Sequence, residues 1–194
     1  LKRIDGLIGG LLIALTLVSC GGGGGGGNGG GTSTEPPPPT TGIVFTPAGG
    51  GGTGISLASS SASFGSTLVL DVRSSGIQDL YGVAFHLTYP NTAMKYVGAT
   101  EGTVLNATGI ATSFLIIESP PGTLNVGLTR LGTVSGTSAA GALMMLQFSA
   151  VATGTGSLAF GGDVAINSTM QTISGVTWSA GSVQVNVIPG SKKR

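Results

Sequence analysis

The chain predicts an all-β domain, a two-sheet sandwich of jelly-roll type with about nine strands. Three observations carry that expectation. Beyond residue 54, apolar residues recur with period two, which places them on one face of a pleated strand. Turn residues punctuate the alternation about every eight to twelve positions, the spacing of short strands joined by turns. No stretch after the N-terminal segment keeps helical spacing: residues 139–146 hold helix formers, but Gly136, Gly141 and the alternation that follows favour a loop and then a strand. The fold carries no immunoglobulin signature, because the paired cysteines around a tryptophan are missing.

Taken in order, the chain opens with Lys2 and Arg3 ahead of an apolar stretch over 7–18, broken only by Gly9, Gly10 and Thr16. That stretch is too short for a hydrocarbon layer of about 30 Å, which needs roughly 20 apolar residues, so residues 1–19 read as a signal peptide. Leu17-Val18-Ser19-Cys20 resembles the bacterial lipobox, which implies lipidation of Cys20 and a membrane partner through that lipid. The alternative is an ordinary secretory signal that happens to end in cysteine. Glycine rather than aspartate at position 21 gives no familiar inner-membrane retention signal. The expected location is the cell envelope, at the outer membrane or cell surface.

Residues 20–54 then read as a tether. Glycine runs at 21–27, 29–31 and 49–52 are flexible coil, and the four prolines at 36–39 form a short, stiff polyproline II spacer. The glycine run trivially matches a phosphate-binding G-x-G-x-x-G, yet no strand precedes it and no amphipathic helix follows, which excludes that reading. Ile43-Val44-Phe45 is an apolar island, free either to pack on the domain or to pair at a sheet edge.

The domain is expected over 55–188. Its clearest strand covers 80–89, with Tyr81, Val83, Phe85, Leu87 and Tyr89 on one face and Gly82, Ala84, His86 and Thr88 on the other. Leu68, Leu70 and Val72 alternate with Asp71 and Arg73. Leu124, Val126 and Leu128 alternate with Asn125, Gly127 and Thr129. Met144, Leu146 and Phe148 oppose Met145, Gln147 and Ser149, and Val183, Val185 and Val187 oppose Gln184 and Asn186. Further strands are expected near 55–59, 95–100, 112–117, 157–160 and 176–179. A short basic tail, 189–194, closes the chain with Lys192, Lys193 and Arg194.

Composition narrows the function. Without the leader, the acids Glu35, Asp71, Asp79, Glu101, Glu118 and Asp163 balance the bases Arg73, Lys95, Arg130, Lys192, Lys193 and Arg194. No basic stripe exists for phosphate contacts, so nucleic acid is excluded as a partner. One cysteine permits no internal disulfide, and the core must hold the fold alone. His86 is the only histidine and no histidine–cysteine cluster offers a zinc site. The carboxylates are scattered, a retaining-glycosidase pair about 5 Å apart is not marked by any of them, and no Gly-x-Ser-x-Gly elbow occurs. The domain is therefore expected to be without catalytic activity and without a cofactor or metal of its own.

Residues 80–90, with Met94 and Val97-Gly98 after them, resemble the signature strand of cohesin domains, in which an aromatic-glycine pair opens an alternating strand ending Tyr-Asp-Pro. Ser135-Gly136, Gly141-Ala142-Leu143 and Leu146-Gln147-Phe148-Ser149-Ala150 are similar to that family's glycine-led strand. Gly154, Gly156-Ser157-Leu158 and Gly181-Ser182-Val183-Gln184-Val185 are similar to its closing strands. The ordered match runs from about residue 55 to 187. It implies a nine-stranded jelly-roll that docks dockerins, small helical modules built on calcium-binding loops, which bring carbohydrate-active enzymes together. Any calcium would belong to the dockerin. Two outward positions that carry polar grip residues in the best-known type fall on Gly82 and Ala84, and the aspartate before Pro90 is absent.

The expected partner-binding residues are Ala84, His86 and Thr88 on the signature strand and Asn125 and Thr129 on its expected neighbour. The competing reading is a carbohydrate-binding module on the same fold, with Tyr96 and Trp178 stacking on a polysaccharide. A structural or adhesive surface lipoprotein is the third.

Overall fold

The structure, a computed structural model, describes residues 40–49 and 52–188. The signal segment, Cys20, tether residues 20–39 and the tail at 189–194 lie outside the described residues. Eleven strands follow in chain order: β1 (Thr40–Pro47), β2 (Gly54–Ser59), β3 (Thr67–Ser75), β4 (Leu80–Thr88), β5 (Met94–Glu101), β6 (Thr112–Glu118), β7 (Thr123–Arg130), β8 (Gly141–Ala150), β9 (Gly154–Asn167), β10 (Thr177–Ser179) and β11 (Gly181–Ile188). A 3-10 turn at Ala107–Gly109 is the one helical element among the described residues.

These strands form a six-stranded sheet, β1-β11-β9-β4-β7-β6, packed on a five-stranded sheet, β10-β2-β3-β8-β5. All pairings are antiparallel except β10 with β2. The alternation read from the sequence builds the interior. Val83, Phe85 and Leu87 of β4 and Leu124, Val126 and Leu128 of β7 are buried with Leu68, Leu70 and Val72 of β3 and Met144, Leu146 and Phe148 of β8. Each such side chain contributes about 1.5–3 kcal/mol when fully removed from water, which is how a domain without a disulfide stays folded.

The sandwich has two distinct ends. At one, Thr40 of β1 stands opposite Ile188 of β11, so the chain enters and leaves there. The β2–β3 turn joins that end through Ile43 N to Gly65 O at 3.0 Å and Ala150 N to Ser66 O at 2.8 Å. The β8–β9 turn joins it through Val151 N to Ala93 O at 2.8 Å. At the other end Asp79 ties three connections together, its carboxylate accepting from Gly136 N at 2.9 Å and from Ser168 Oγ at 2.8 Å. Buried Arg130 braces the same end by donating to the Ser135 carbonyl at 2.6 Å.

Two expectations need correction. The tether drawn to residue 54 gives up Thr40–Pro47, which pair along their whole length with β11 and bury Ile43 and Phe45. A single apolar triplet suffices because the backbone ladder satisfies the rest of the segment; of the two options open for Ile43-Val44-Phe45, edge pairing is the one found, and it extends over Thr40–Pro47. The strand expected near 157–160 runs on to Asn167 through a bulge at Gly161–Asp163, where its register with β4 shifts between Ala84 and His86. The glycines that permit the bulge also ended the visible alternation.

If β1 is part of the core, Phe45→Ala lowers unfolding stability by about 3 kcal/mol in urea titration. A residue belonging to a tether would change it by less than about 0.5 kcal/mol.

Candidate functional site

The two sheets present unlike outer faces. That of the five-stranded sheet carries the Asp71–Arg73 ion pair, 3.3 Å apart on β3, and exposed Lys95 on β5. That of the six-stranded sheet carries no formal charge across four adjacent strands and mixes apolar with small and neutral polar residues. Residues directly opposite in a sheet share a face, so the registers set out its rows. Val164, Ala84, Gly127 and Leu115 make one row across β9, β4, β7 and β6. Gly161, His86, Asn125 and Ile117 make the next. Ile166, Gly82, Thr129 and Ser113 flank on one side, and Ala159, Thr88 and Thr123 on the other.

Leu115 is 59% and Ile117 51% exposed, an unusual state for neighbouring large aliphatics on one strand face. Ala84 and His86 are also exposed, while Asn125 and Thr129 are half-buried. The polar groups on this face are largely engaged at home. Asn125 Nδ2 donates to the carbonyls of Ser119 at 2.7 Å and Ile117 at 3.3 Å, bracing the end of β6. Thr88 Oγ1 donates to the Ala159 carbonyl at 3.3 Å and Thr129 Oγ1 to the Arg130 carbonyl at 3.2 Å. Gly82 is buried, and a Cβ on it would stand 2.8 Å from Thr129 Oγ1. His86 lies against the bulge, where Gly162 has φ +57° and a Cβ would come within 3.4 Å of the imidazole. What remains available is a flat patch of Ala84, Leu115, Ile117 and Val164 with the imidazole beside it.

The structure thus brings all five expected partner-binding residues onto one face. Sequence reasoning missed Leu115, Ile117, Val164 and Ile166. The unbroken run Phe114-Leu115-Ile116-Ile117 was a signal for the first two, since a strand apolar on both faces is covered on both. Val164 and Ile166 were hidden by the bulge.

Tyr96 and Trp178 are not brought together. Tyr96 packs on Phe148 at 5.9 Å, whereas Trp178 packs on Phe85 at 5.6 Å and Phe160 at 5.2 Å in a separate aromatic group. Tyr81 is buried and its hydroxyl donates to the Gly132 carbonyl. Asp71, Asp79, Glu101 and Glu118 each serve a local contact. Glu101 accepts from Thr112 Oγ1 at 2.7 Å, and Glu118 accepts from the Tyr89 hydroxyl and from Gly122 N at 3.0 Å. No group of three or more potential metal ligands occurs among the described residues.

These contacts shift the ionisations. The Ser168 hydroxyl, helped by backbone N–H groups, holds Asp79 below its ordinary 3.8. The Gly122 N–H and then the Tyr89 hydroxyl hold Glu118 below 4.5. Burial first, and the bond to Glu118 second, push Tyr89 up to about 12.

A family model described as Cohesin domain matches residues 53–185. No curated protein sequence matches the chain. Among solved structures, the second type II cohesin module from the adaptor ScaA scaffoldin of Acetivibrio cellulolyticus aligns with TM-score 0.56 and 15% identity, over 73% of this chain and 88% of its own. A type II cohesin domain from the cellulosome of the same organism aligns with TM-score 0.52 and 18% identity, over 78% and 96%. The sixth cohesin of that organism's scaffoldin B, solved in complex with a Cel5 dockerin, aligns with TM-score 0.51 and 23% identity, over 66% and 98%. At these identities the likeness is one of fold.

A carboxylate whose folded pKa lies below its unfolded value contributes stability above the unfolded value and loses it as pH falls through the folded one. The double variant Asp79→Asn, Glu118→Gln should therefore be less stable than the parent at neutral pH. The gap between the two should begin to narrow as pH falls below 4.5, where Glu118 starts to lose its contribution, and narrow further below 3.8, where Asp79 follows. Urea midpoints measured across the acid range check this; a gap independent of pH would contradict it.

Proposed function

This chain belongs to the cohesin family, and from that premise we propose that it is a non-catalytic docking module that holds a dockerin-bearing protein on the outer face of β9, β4, β7 and β6. The observation that carries the reading is the uncharged row Val164–Ala84–Gly127–Leu115 with Ile117 beside it. A sheet face that exposes large aliphatics around small central residues suits an apolar helical surface, which lies flat across strands without meeting a protruding side chain. His86 and Asn125 supply polar contacts in the adjoining row, and Thr88 and Thr129 flank the two rows. With alanine and glycine at the central positions, binding draws on apolar contact more than on charge, so its affinity changes little with salt. Calcium, where it matters, acts in folding the dockerin.

The module is proposed to act at the envelope, anchored by lipid on Cys20 and held off by the glycine- and proline-rich tether, gathering carbohydrate-active or other surface proteins. A tethered receptor raises the effective concentration of its partner at the surface without new contacts. A second reading keeps one observation. Trp178 and Phe160 border an open cleft with Asp163, Thr46 and Ser182, where a sugar ring would find an aromatic wall and hydrogen-bond groups.

The chain immobilised through its N-terminal segment should retain a protein bearing duplicated calcium-loop repeats in calcium and release it to chelator. Ala84→Arg, which places an unpaired charge in the centre of the contact, should weaken that binding about thirtyfold or more by calorimetry. Arg73→Glu on the opposite sheet should leave it unchanged. Retention of glycans alone, lost in Trp178→Ala and kept in Ala84→Arg, would favour the cleft instead.

A further inference from the structure

Four strands close the edges of the two sheets, and three of them carry a device that hinders another chain from pairing there. β1 ends in Pro47 and has its Ile43 N–H taken by the Gly65 carbonyl at 3.0 Å. β5 is bent by a register shift between Tyr96 and Gly98 and carries exposed Lys95. β10 is three residues long. Short length, proline, lysine and bulges are the ordinary means of blunting an edge. β6 has none of them. It runs Thr112-Ser113-Phe114-Leu115-Ile116-Ile117-Glu118 in unbroken register with β7, without glycine, proline or lysine. A run of β-branched, aliphatic and aromatic residues with one charge at its end is the kind that pairs with another strand.

The phase of the β6–β7 ladder fixes which backbone groups are left over. Ser119 N donates to Thr123 O at 3.0 Å and Leu131 N to Ala111 O at 2.8 Å, one at each end of the pair. Hydrogen-bonded partners alternate along an antiparallel ladder, so the odd-numbered residues of β6 bond to β7. Thr112, Phe114, Ile116 and Glu118 therefore aim both N–H and C=O at the open edge, where no strand pairs among the described residues. The side chains there are unfinished too. Phe114 and Ile116 face the core yet are only half-buried, and Leu115 and Ile117 stand exposed on the outer face.

We propose that this edge pairs with the same edge of a second copy of the chain, antiparallel about a two-fold axis at Leu115. The strand is complementary to itself in that register. Phe114 falls opposite Ile116 of the second copy and Thr112 opposite its Glu118, so all four outward residues exchange backbone bonds. Phe114 and Ile116 complete each other's burial on the inner side, and Leu115 meets Leu115 on the outer side with Ser113 and Ile117 flanking. Centring the axis on Ile116 or Ile117 instead would leave Thr112 unpaired and draw the two Glu118 carboxylates together. The contact is isologous and closes at two copies, because it consumes the edge it uses. Edge pairing lies in the plane of the sheet and leaves the outer face uncovered, so the faces of β9, β4, β7 and β6 of two copies join into one uncharged surface. The inference stands apart from the docking reading, and no dockerin enters its test.

The test uses the full chain with Cys20→Ser, which removes the only cysteine. Sedimentation should show mass doubling as concentration rises. Residue 115 would face its own counterpart in a non-hydrogen-bonded pair, with Cα atoms about 4.5 Å apart and within reach of a disulfide. Leu115→Cys in that background should therefore link to itself on mild oxidation, roughly tenfold or more above Ser113→Cys or Ile117→Cys alone. Ser113→Cys mixed with Ile117→Cys should link to each other. Leu115→Lys, which sets two ammonium groups side by side, should sediment as a monomer; where it fails to fold, the cysteine variants decide. A parent chain monomeric at every concentration would overturn the proposal, and would fit an edge covered by a foreign strand or by another segment of the chain. A dimer that cross-links equally at 113, 115 and 117, or that persists in folded Leu115→Lys, would overturn it in favour of a different surface.

Discussion

The register of β4 is the constraint on which the rest depends. This strand lies at the centre of the six-stranded sheet, paired with β7 on one side and β9 on the other. Because strand side chains alternate, a slip of one residue would move Val83, Phe85 and Leu87 into water and Ala84, His86 and Thr88 into the core. Phe85 is what fixes it. Its ring sits 5.1 Å from Phe160 and 5.6 Å from Trp178, locking β4 to β9 and to the β10 segment of the opposite sheet. The buried half of the strand therefore determines, residue by residue, what the exposed half offers.

That exposed half is shaped by small residues. Gly82, Ala84 and Gly127 keep the centre of the face low, and the larger Leu115, Ile117 and Val164 stand around it on the flanking strands. A single bulky or charged side chain in the middle would leave the fold intact and spoil the contact. The opposite sheet carries Asp71, Arg73 and Lys95 outward beside Val69, Val97 and Met145, so its face mixes charge with apolar surface. The difference between the two faces is the strongest physical reason to look for a partner on one of them.

Most of the architecture was legible because alternation is a direct readout of a half-buried strand. Residues 80–89 showed both faces in the letters themselves: Val83, Phe85, Leu87 and Tyr89 lie in the core as read, while Tyr81, beside a register shift, is buried outside that cluster. What escaped were places where a different principle outranks periodicity. The length of β1 escaped, though edge pairing of its apolar island was one expectation, because only Ile43 and Phe45 need to be apolar in a strand flanked by proline and glycine. The second half of β9 hides because Gly161 and Gly162 break the alternation at a bulge. Leu115 and Ile117 escaped because a run apolar on both faces has no period to read. Tyr96 and Trp178 share an amenable chemistry, but only tertiary contacts reveal that they join separate aromatic groups.

The central claim is that the uncharged face of β9, β4, β7 and β6 is the docking surface. Methyl NMR of the chain titrated with a calcium-loaded dockerin domain tests it most directly. The account predicts shifts at Leu115, Ile117, Val164 and Ala84, with Val69, Val97 and Met145 on the opposite sheet unmoved. Shifts confined to Val69, Val97 and Met145, or to the Trp178 cleft, would contradict it.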